Sequence, residues 1–368
     1  MEKSTLTKGF LFLCFGLFLL QSCQKDDDEV KDVAVVYDGT PYQIKTGNFE
    51  QPVISSDNKL TVQGVKLGRM LFYEKKLSAN QTQSCASCHR QEHAFTDTAR
   101  FSEGIRNLNG MRNAMAVFNM AWNNNEFFWD GRAHLLRHQS LLPIQDPLEM
   151  DETLPNVVNK LKGDEVYRQQ FTRAFGNDEI NPEKISLALE QFMNSIVSVN
   201  SKYDKYKNGT AQLDSVEERG RYLFFAEFNP GFPNLSGADC AHCHTTLNFE
   251  NDKYLNNALD SDADMTDDGR MKVTNDPNDK GKFKVTSLRN IELTAPFMHD
   301  GRFKTLEEVV EHYNSGMKNS STIDPALIYP LNSGGLQLSA DDKKALIAFL
   351  KTLTDDDLMT DSEYSNPF

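Results

Sequence analysis

Two five-residue strings constrain this chain more than anything else in it: Cys85-Ala86-Ser87-Cys88-His89 and Cys240-Ala241-His242-Cys243-His244. In C-x-x-C-H, two thiols three residues apart can each form a thioether to one vinyl group of a haem. The adjacent His then lies under the porphyrin plane and supplies an iron ligand. Disulfides are the default for paired cysteines in an exported chain, and C-x-x-C also binds zinc. Neither accounts for a His immediately after each pair, twice. The spacing therefore predicts two covalently bound haem c groups, held by Cys85, Cys88, Cys240 and Cys243, with His89 and His244 as iron ligands.

The remaining two of the six cysteines lie in the N-terminal segment of the 368-residue chain. Lys3 and Lys8 flank the start of an apolar run, Phe10–Leu20, whose eleven residues are too few to span a bilayer and read as the core of a signal peptide. Cys14 leaves with it. Leu20-Gln21-Ser22-Cys23 resembles a bacterial lipobox, which implies removal of residues 1–22 and a lipid anchor on Cys23. Residues 23–50 read as an acidic tether, since the like charges of Asp26-Asp27-Asp28-Glu29 repel. The acidic run also resembles the export signal of surface lipoproteins. The expected location is outside the cytoplasm of a Gram-negative bacterium, lipid-anchored and facing the periplasm or on the cell surface. A net charge of −14 and the lack of any Lys/Arg-rich block argue against a nucleic-acid partner.

The chain carries an internal repeat. A helical pattern with Val65, Leu67, Met70 and Leu71 precedes the first motif, and one over Ser215–Phe225, with Val216, Gly220, Leu223 and Phe224 on one stripe, precedes the second. Gly68-Arg69-Met70-Leu71-Phe72 is echoed by Gly220-Arg221-Tyr222-Leu223-Phe224. Downstream, Arg112-Asn113 leads to Asp130-Gly131-Arg132, as Arg289-Asn290 leads to Asp300-Gly301-Arg302. A helical run over 182–206 separates the copies, and a last helix covers about Asp341–Leu353. Helix, haem motif, later helix is the cytochrome c plan. The expected fold is mainly α, two tandem cytochrome c-like haem domains with long loops, over 51–206 and 207–368. The Asn/Asp/Gly-rich stretch 250–282 reads as one such loop. Its Asp260-Ser261-Asp262-Ala263-Asp264 string lacks the Gly and Glu of an EF-hand.

Chemistry at a haem depends on what faces the iron opposite its His: a filled position moves electrons, an open one binds a small oxidant. Thirteen residues after Asp300 stands Tyr313; thirteen after Asp130 stands Pro143. Tyr ligates ferric iron and Pro cannot, so the comparison predicts an open first haem and a closed second one. His312 and Met298 are the rival ligands at the second.

With two C-x-x-C-H motifs, Phe128-Trp129-Asp130-Gly131-Arg132, the run Pro143 to Met150, and Leu293-Thr294-Ala295-Pro296, the chain resembles the bacterial dihaem cytochrome c peroxidase and MauG superfamily over about residues 52–355. The resemblance implies an N-terminal peroxidatic haem and a C-terminal electron-transfer haem. It implies Glu149 as the distal carboxylate that handles protons, Gln139 and Pro143 as distal-pocket neighbours, and Trp129 as an electron conduit between the haems. It further implies one calcium ion, held by the Asn113 side chain and the carbonyls of Thr294 and Pro296. The loop 96–111 contains no His, where peroxidase-type members carry one that caps the first haem, and Tyr313 stands where they carry Met. Both departures follow the MauG pattern. The expected activity is reduction of hydrogen peroxide with electrons from a small cytochrome or cupredoxin, in a possible homodimer. A MauG-like oxidation of protein side chains and a non-enzymatic dihaem electron carrier are the alternatives.

Overall fold

Apolar residues at helical spacing become helices that cross at glycine. In the computed structural model, which describes residues 35–368, the Val62–Tyr73 helix starts where the Thr61 side chain accepts the Gly64 N–H. It buries Val65, Leu67, Met70, Leu71 and Phe72 against the Pro182–Ser195 helix. At the crossing, a Cβ on Gly68 would stand 1.9 Å from the Ala188 carbonyl oxygen. The second echo behaves alike. The Ser215–Phe225 helix, capped by Asp214, crosses the Ala340–Lys351 helix, and a Cβ on Gly220 would stand 1.9 Å from the Ala345 carbonyl oxygen. Phe72 meets Phe192 at 5.3 Å, and Phe224 meets Phe349 at 5.2 Å. All four rings are fully buried, each stabilising its core by about 1.5–3 kcal/mol. The repeated Gly-Arg strings thus reflect close helix crossings. Val216 does not join its stripe; it is exposed.

The protein is mainly helical, with two short paired strands, Tyr254–Leu255 antiparallel to Phe283–Lys284. Two apolar clusters organise it, one around the Val62–Tyr73 and Pro182–Ser195 helices, the other around Ser215–Phe225 and Ala340–Lys351. Leu358 and Tyr364 of the C-terminal tail pack into the first cluster. The run 182–206 is not one helix. It stops at Ser195, is extended from Ile196, and resumes at Lys202–Lys207. Of the five residues Ile196–Asn200, in the sequence Ile-Val-Ser-Val-Asn, three are β-branched and two are polar competitors for backbone bonds. Asn119 captures the Ser198 N–H, and Asp355 captures those of Val199 and Asn200.

Cys23, residues 1–22 and the tether up to residue 34 lie outside the described residues. From Asp38 onward the expected tether is docked: Asp38 N–H donates to Arg173, Tyr42 N–H to Leu60, and Phe49 packs edge-on to Trp122 at 4.9 Å. Tyr42, Ile44 and Phe49 supply the apolar surface that holds it. In the loop 250–282, Asp260 pairs with Arg302 and Asp262 accepts from Ser321, so these carboxylates brace the loop.

One anchor of the repeat is displaced. The counterpart of Asn290 is Asn119, six residues beyond Asn113. Asn119 and Asn290 both hold left-handed backbone, φ 54° and 57°. Each donates its N–H to a carbonyl just past a crossing helix, Ile196 and Leu353. Each sends its amide to Ser198. The Arg-Asn string recurs in the sequence, but the backbone geometry recurs with Phe118-Asn119 in the first copy.

Candidate haem sites

The two His residues of the motifs are seated identically. His89 Nδ1 lies 3.1 Å from the Phe95 carbonyl oxygen, and His244 Nδ1 lies 2.8 Å from that of Phe249. Phe95 and Phe249 turn those carbonyls inward from left-handed backbone, φ 59° and 55°. An Nδ1–H donated to a carbonyl fixes the ring and leaves Nε2 with its lone pair, the form that ligates iron. Burial holds both imidazoles below the ordinary histidine range, against the pull of those carbonyls. The four thiols are free. Burial pushes Cys85 and Cys240 up to about 12, and Cys88 and Cys243 up to about 11. Among the described residues no three His, Cys, Asp or Glu side chains converge as a metal cluster. Paired free thiols with a pre-oriented imidazole fit a covalent haem; they do not make a zinc donor set.

One cavity gathers most of the residues singled out in the second copy. Cys240, Cys243, His244, Met298 and Tyr313 line it, with Leu306, Val309 and Val310 of the Leu306–Glu311 helix. Burial holds the Tyr313 phenol well above its ordinary range. His312 is not in the lining; its Nε2 is bound to the Asn257 carbonyl at 3.0 Å. Met298 lines the cavity with Sδ 3.2 Å from Asn257 Nδ2.

Around the first motif the helix Leu136–Gln145 takes the part of Leu306–Glu311. Its N-cap, Leu135, lies five residues past Asp130, as Thr305 lies five past Asp300, so the two helices start in register; Pro143 then lies in regular α-helix, whereas Tyr313 lies in a π-helical turn, His312–Gly316. Pro143 lies within this helix, so the stretch before Glu149 is half helix and half turn. Gln139 stands at the position of Val309. Glu149 sits in the turn that follows, donating its N–H to Asp146 and accepting Ile105 N–H at 2.9 Å. Burial pushes its carboxyl up to about 7, with Asp146 adding and Arg132 opposing. Its charge also raises both Cys85 and Cys88 of the first motif. His134, His138 and His242 are exposed.

Trp129, Asn113, Thr294 and Pro296 join the same cavity as the second motif, on the side that also receives Thr96 and Ala114–Ala116. Trp129 Nε1–H donates to the Asn113 carbonyl at 2.8 Å. Asn113 Nδ2 donates to the carbonyls of Ala99 and Arg100, which leaves the amide oxygen available to a hard cation. One amide oxygen and two carbonyls are neutral oxygen donors too few for calcium, so this set fits the ion only with water completing it.

Sequence reasoning missed the polar seam under these groups. Ser198 is bonded to Asn119, Asn290 and Asp355, and Asn119 also to Asn248. Arg289, fully buried, makes a two-pronged pair with Asp204 at 2.7 and 2.8 Å. It also missed His299, which holds the place of Trp129 in the second copy and stacks on Phe283 at 3.6 Å. The second Asp-Gly-Arg string was the available signal for His299; nothing local marks Ser198 or Asp204.

The family model for di-haem cytochrome c peroxidase matches residues 62–212. The chain is 33% identical to the cytochrome c551 peroxidase of Nitrosomonas europaea over 79% of this chain and 80% of that one. It is 31% identical to the methylamine utilization protein MauG of Methylophilus methylotrophus, over 80% of this chain and 84% of that one. Among solved structures, a MauG-like protein associated with microbial copper homeostasis superposes with a TM-score of 0.77 at 33% identity, covering 87% of this chain and 97% of that one.

Proposed function

The chain belongs to the di-haem cytochrome c peroxidase family, and on that premise we propose that it reduces hydrogen peroxide at the Cys85–His89 haem with electrons received through the Cys240–His244 haem. When bound, the haems supply a peroxide-binding iron at the first motif and an electron-carrying iron at the second. Two tandem cytochrome c-like domains, 51–206 and 207–368, hold them in this reading. The recurring helix crossings at Gly68 and Gly220 support it.

The protein's residues then have distinct tasks. His89 and His244, each tied at Nδ1, keep Nε2 aimed along one direction. Glu149 moves a proton from the near oxygen of peroxide to the leaving one. Its raised carboxyl, about 7, lets it both accept and release that proton near neutral pH. Gln139 and Pro143 border the space where peroxide enters, and Pro143 leaves it without a side-chain ligand. Tyr313 fills the corresponding space at the second motif. Trp129 carries electrons between the two. Two electrons and two protons convert each peroxide to two waters.

The observation that carries this reading is the asymmetry: a buried carboxyl that titrates near pH 7 beside one motif, and a phenol against the other. The test is electron paramagnetic resonance of the resting ferric protein together with peroxide turnover on a reduced small cytochrome. One high-spin and one low-spin haem with turnover support it; two low-spin haems and no turnover favour an electron carrier. Tyr313 against the second motif, with MauG among the relatives, favours one further reading, oxidation of side chains on another protein. A persistent two-electron-oxidised state with negligible peroxide turnover would select it.

One calcium ion at Asn113, Thr294 and Pro296, export, a lipid anchor at Cys23, a small cytochrome or cupredoxin donor and a homodimer complete the proposal. Dialysis against a chelator should lower thermal stability if calcium is present, and restoring calcium should recover it.

A further inference from the structure

Once Asn119 is matched with Asn290, the residues before them fall into register, and each copy makes the same contact in the reverse direction. The carbonyls of Met115 and Thr286, four residues before each Asn, face His89 and His244 respectively. Two residues earlier stand Asn113 and Lys284. Asn113 N–H donates to the His299 carbonyl, and Lys284 N–H donates to the Trp129 carbonyl, both at 2.8 Å. The receiving turns match as well: Phe127 bridges Ala133 and Phe297 bridges Phe303, with Phe128 and Met298 both left-handed. Glu126 is therefore the counterpart of Pro296.

Across the first of these contacts lies the Asn113 side chain, which lines one cavity with Thr294 and Pro296. Across the second lies the Lys284 side chain, and its ammonium donates to the Glu126 carbonyl at 2.8 Å and to Asn125 Oδ1. Lys284 is only 7% exposed. A buried ammonium is stable only where oxygens replace its water, and this one has been given a carbonyl and an amide oxygen. Burial brings its pKa down to about 8, with Arg270 adding, while Glu250, Asp252 and Glu126 favour the charged form.

We propose that Lys284 is a tethered cation: its ammonium occupies the repeat counterpart of the Asn113 cation site, where the chain's own lysine does what a metal ion does at the other. The comparison with Asn113 rests on the calcium reading above; the lysine's own oxygen cradle does not. The consequence is mechanical. Lys284 grips residues 125–129 at both ends, through Glu126 and through Trp129, and so positions Trp129 without any dissociable ion.

The test uses the full holoprotein and counts calcium by elemental analysis after equilibration with calcium and gel filtration. Lys284→Asn, which installs the side chain found at position 113, should bind one more calcium per chain than the parent. Lys284→Met, which fills the space without a donor, should bind none extra. Asn113→Lys should bind one fewer and keep its melting temperature when chelator is added. A parent without calcium would sink the calcium reading alone, since the gain in Lys284→Asn is counted against it. A haem-loaded Lys284→Asn with no extra calcium overturns the proposal. If that variant does not take up haem, acylation of the parent at pH 8 decides. Lys284 should stay unmodified in peptide maps while exposed lysines react, and ready modification of Lys284 overturns the proposal too.

Discussion

Glu149 shows how much one side chain depends on its surroundings. An exposed loop glutamate is ionised at neutral pH and has no proton to give; burial raises this one to about 7, where it suits the proton carrier of the proposed function. Glu149→Gln keeps the shape and removes the proton transfer. The rate constant for peroxide reduction should fall by about 10²–10⁴-fold with the resting ferric spectrum little changed; an unaltered rate in stopped-flow mixing would take Glu149 out of the mechanism. Tyr313→Phe should change the ferric spectrum of the second haem alone, while Met298→Leu should not. The reverse result would assign the ligand to Met298, which lines the same cavity. Asp204→Asn strands the fully buried Arg289 guanidinium, and a broken buried pair costs about 3–5 kcal/mol, readable as a lowered denaturant midpoint.

At the scale of elements, two helix crossings repeat one contact. Gly68→Ala and Gly220→Ala each push a methyl toward a carbonyl oxygen that neither helix can move without parting. Each should cost about 1–3 kcal/mol by overpacking, and the two losses should be similar, measured as denaturant midpoints of the haem-loaded protein. A loss at only one site would mean that the crossings are not equivalent. The helices themselves were legible in the sequence because apolar period and caps agree, as at Ser339, whose side chain accepts the Asp342 N–H where the last helix begins. The break at Ile196 was not legible. Ile185, Leu189, Phe192, Ile196 and Val199 keep helical spacing; the weak helix formers of Ile196–Asn200 allow a break there, and bonds to Asn119 and Asp355, distant in sequence, make it.

Across the whole molecule, buried carboxyls set the response to pH. Burial raises both Glu149 and Glu250 to about 7, Glu250 with Asp252 adding and Asn248 and Lys284 opposing. The folded protein therefore binds more protons than the unfolded chain between the ordinary glutamate range and about pH 7. Stability from these two groups is fully present below that window and falls as pH rises through it, by up to about 1.4 kcal/mol per pH unit for each. Glu250→Gln should make denaturant midpoints less dependent on pH over that interval; an unchanged slope would show that Glu250 does not titrate there.

The sequence by itself determined the chemistry that local spacing can encode. Thiol pairs next to a His predict covalent haem, and thirteen residues after each Asp-Gly-Arg string predict unlike surroundings for the two. Both are short-range patterns, fixed by bond lengths and helix pitch. What only the tertiary structure decided is which distant groups share a space. It moved the repeat anchor from Asn113 to Asn119, because left-handed backbone and bonds to Ser198 leave no mark in a string of letters. It separated Tyr313 and Met298, which line a cavity, from His312, bound to a carbonyl. It brought the Lys284 ammonium to Asn125 and Glu126 across about 160 residues of chain, an encounter that only burial, by stripping water from a charge, makes necessary.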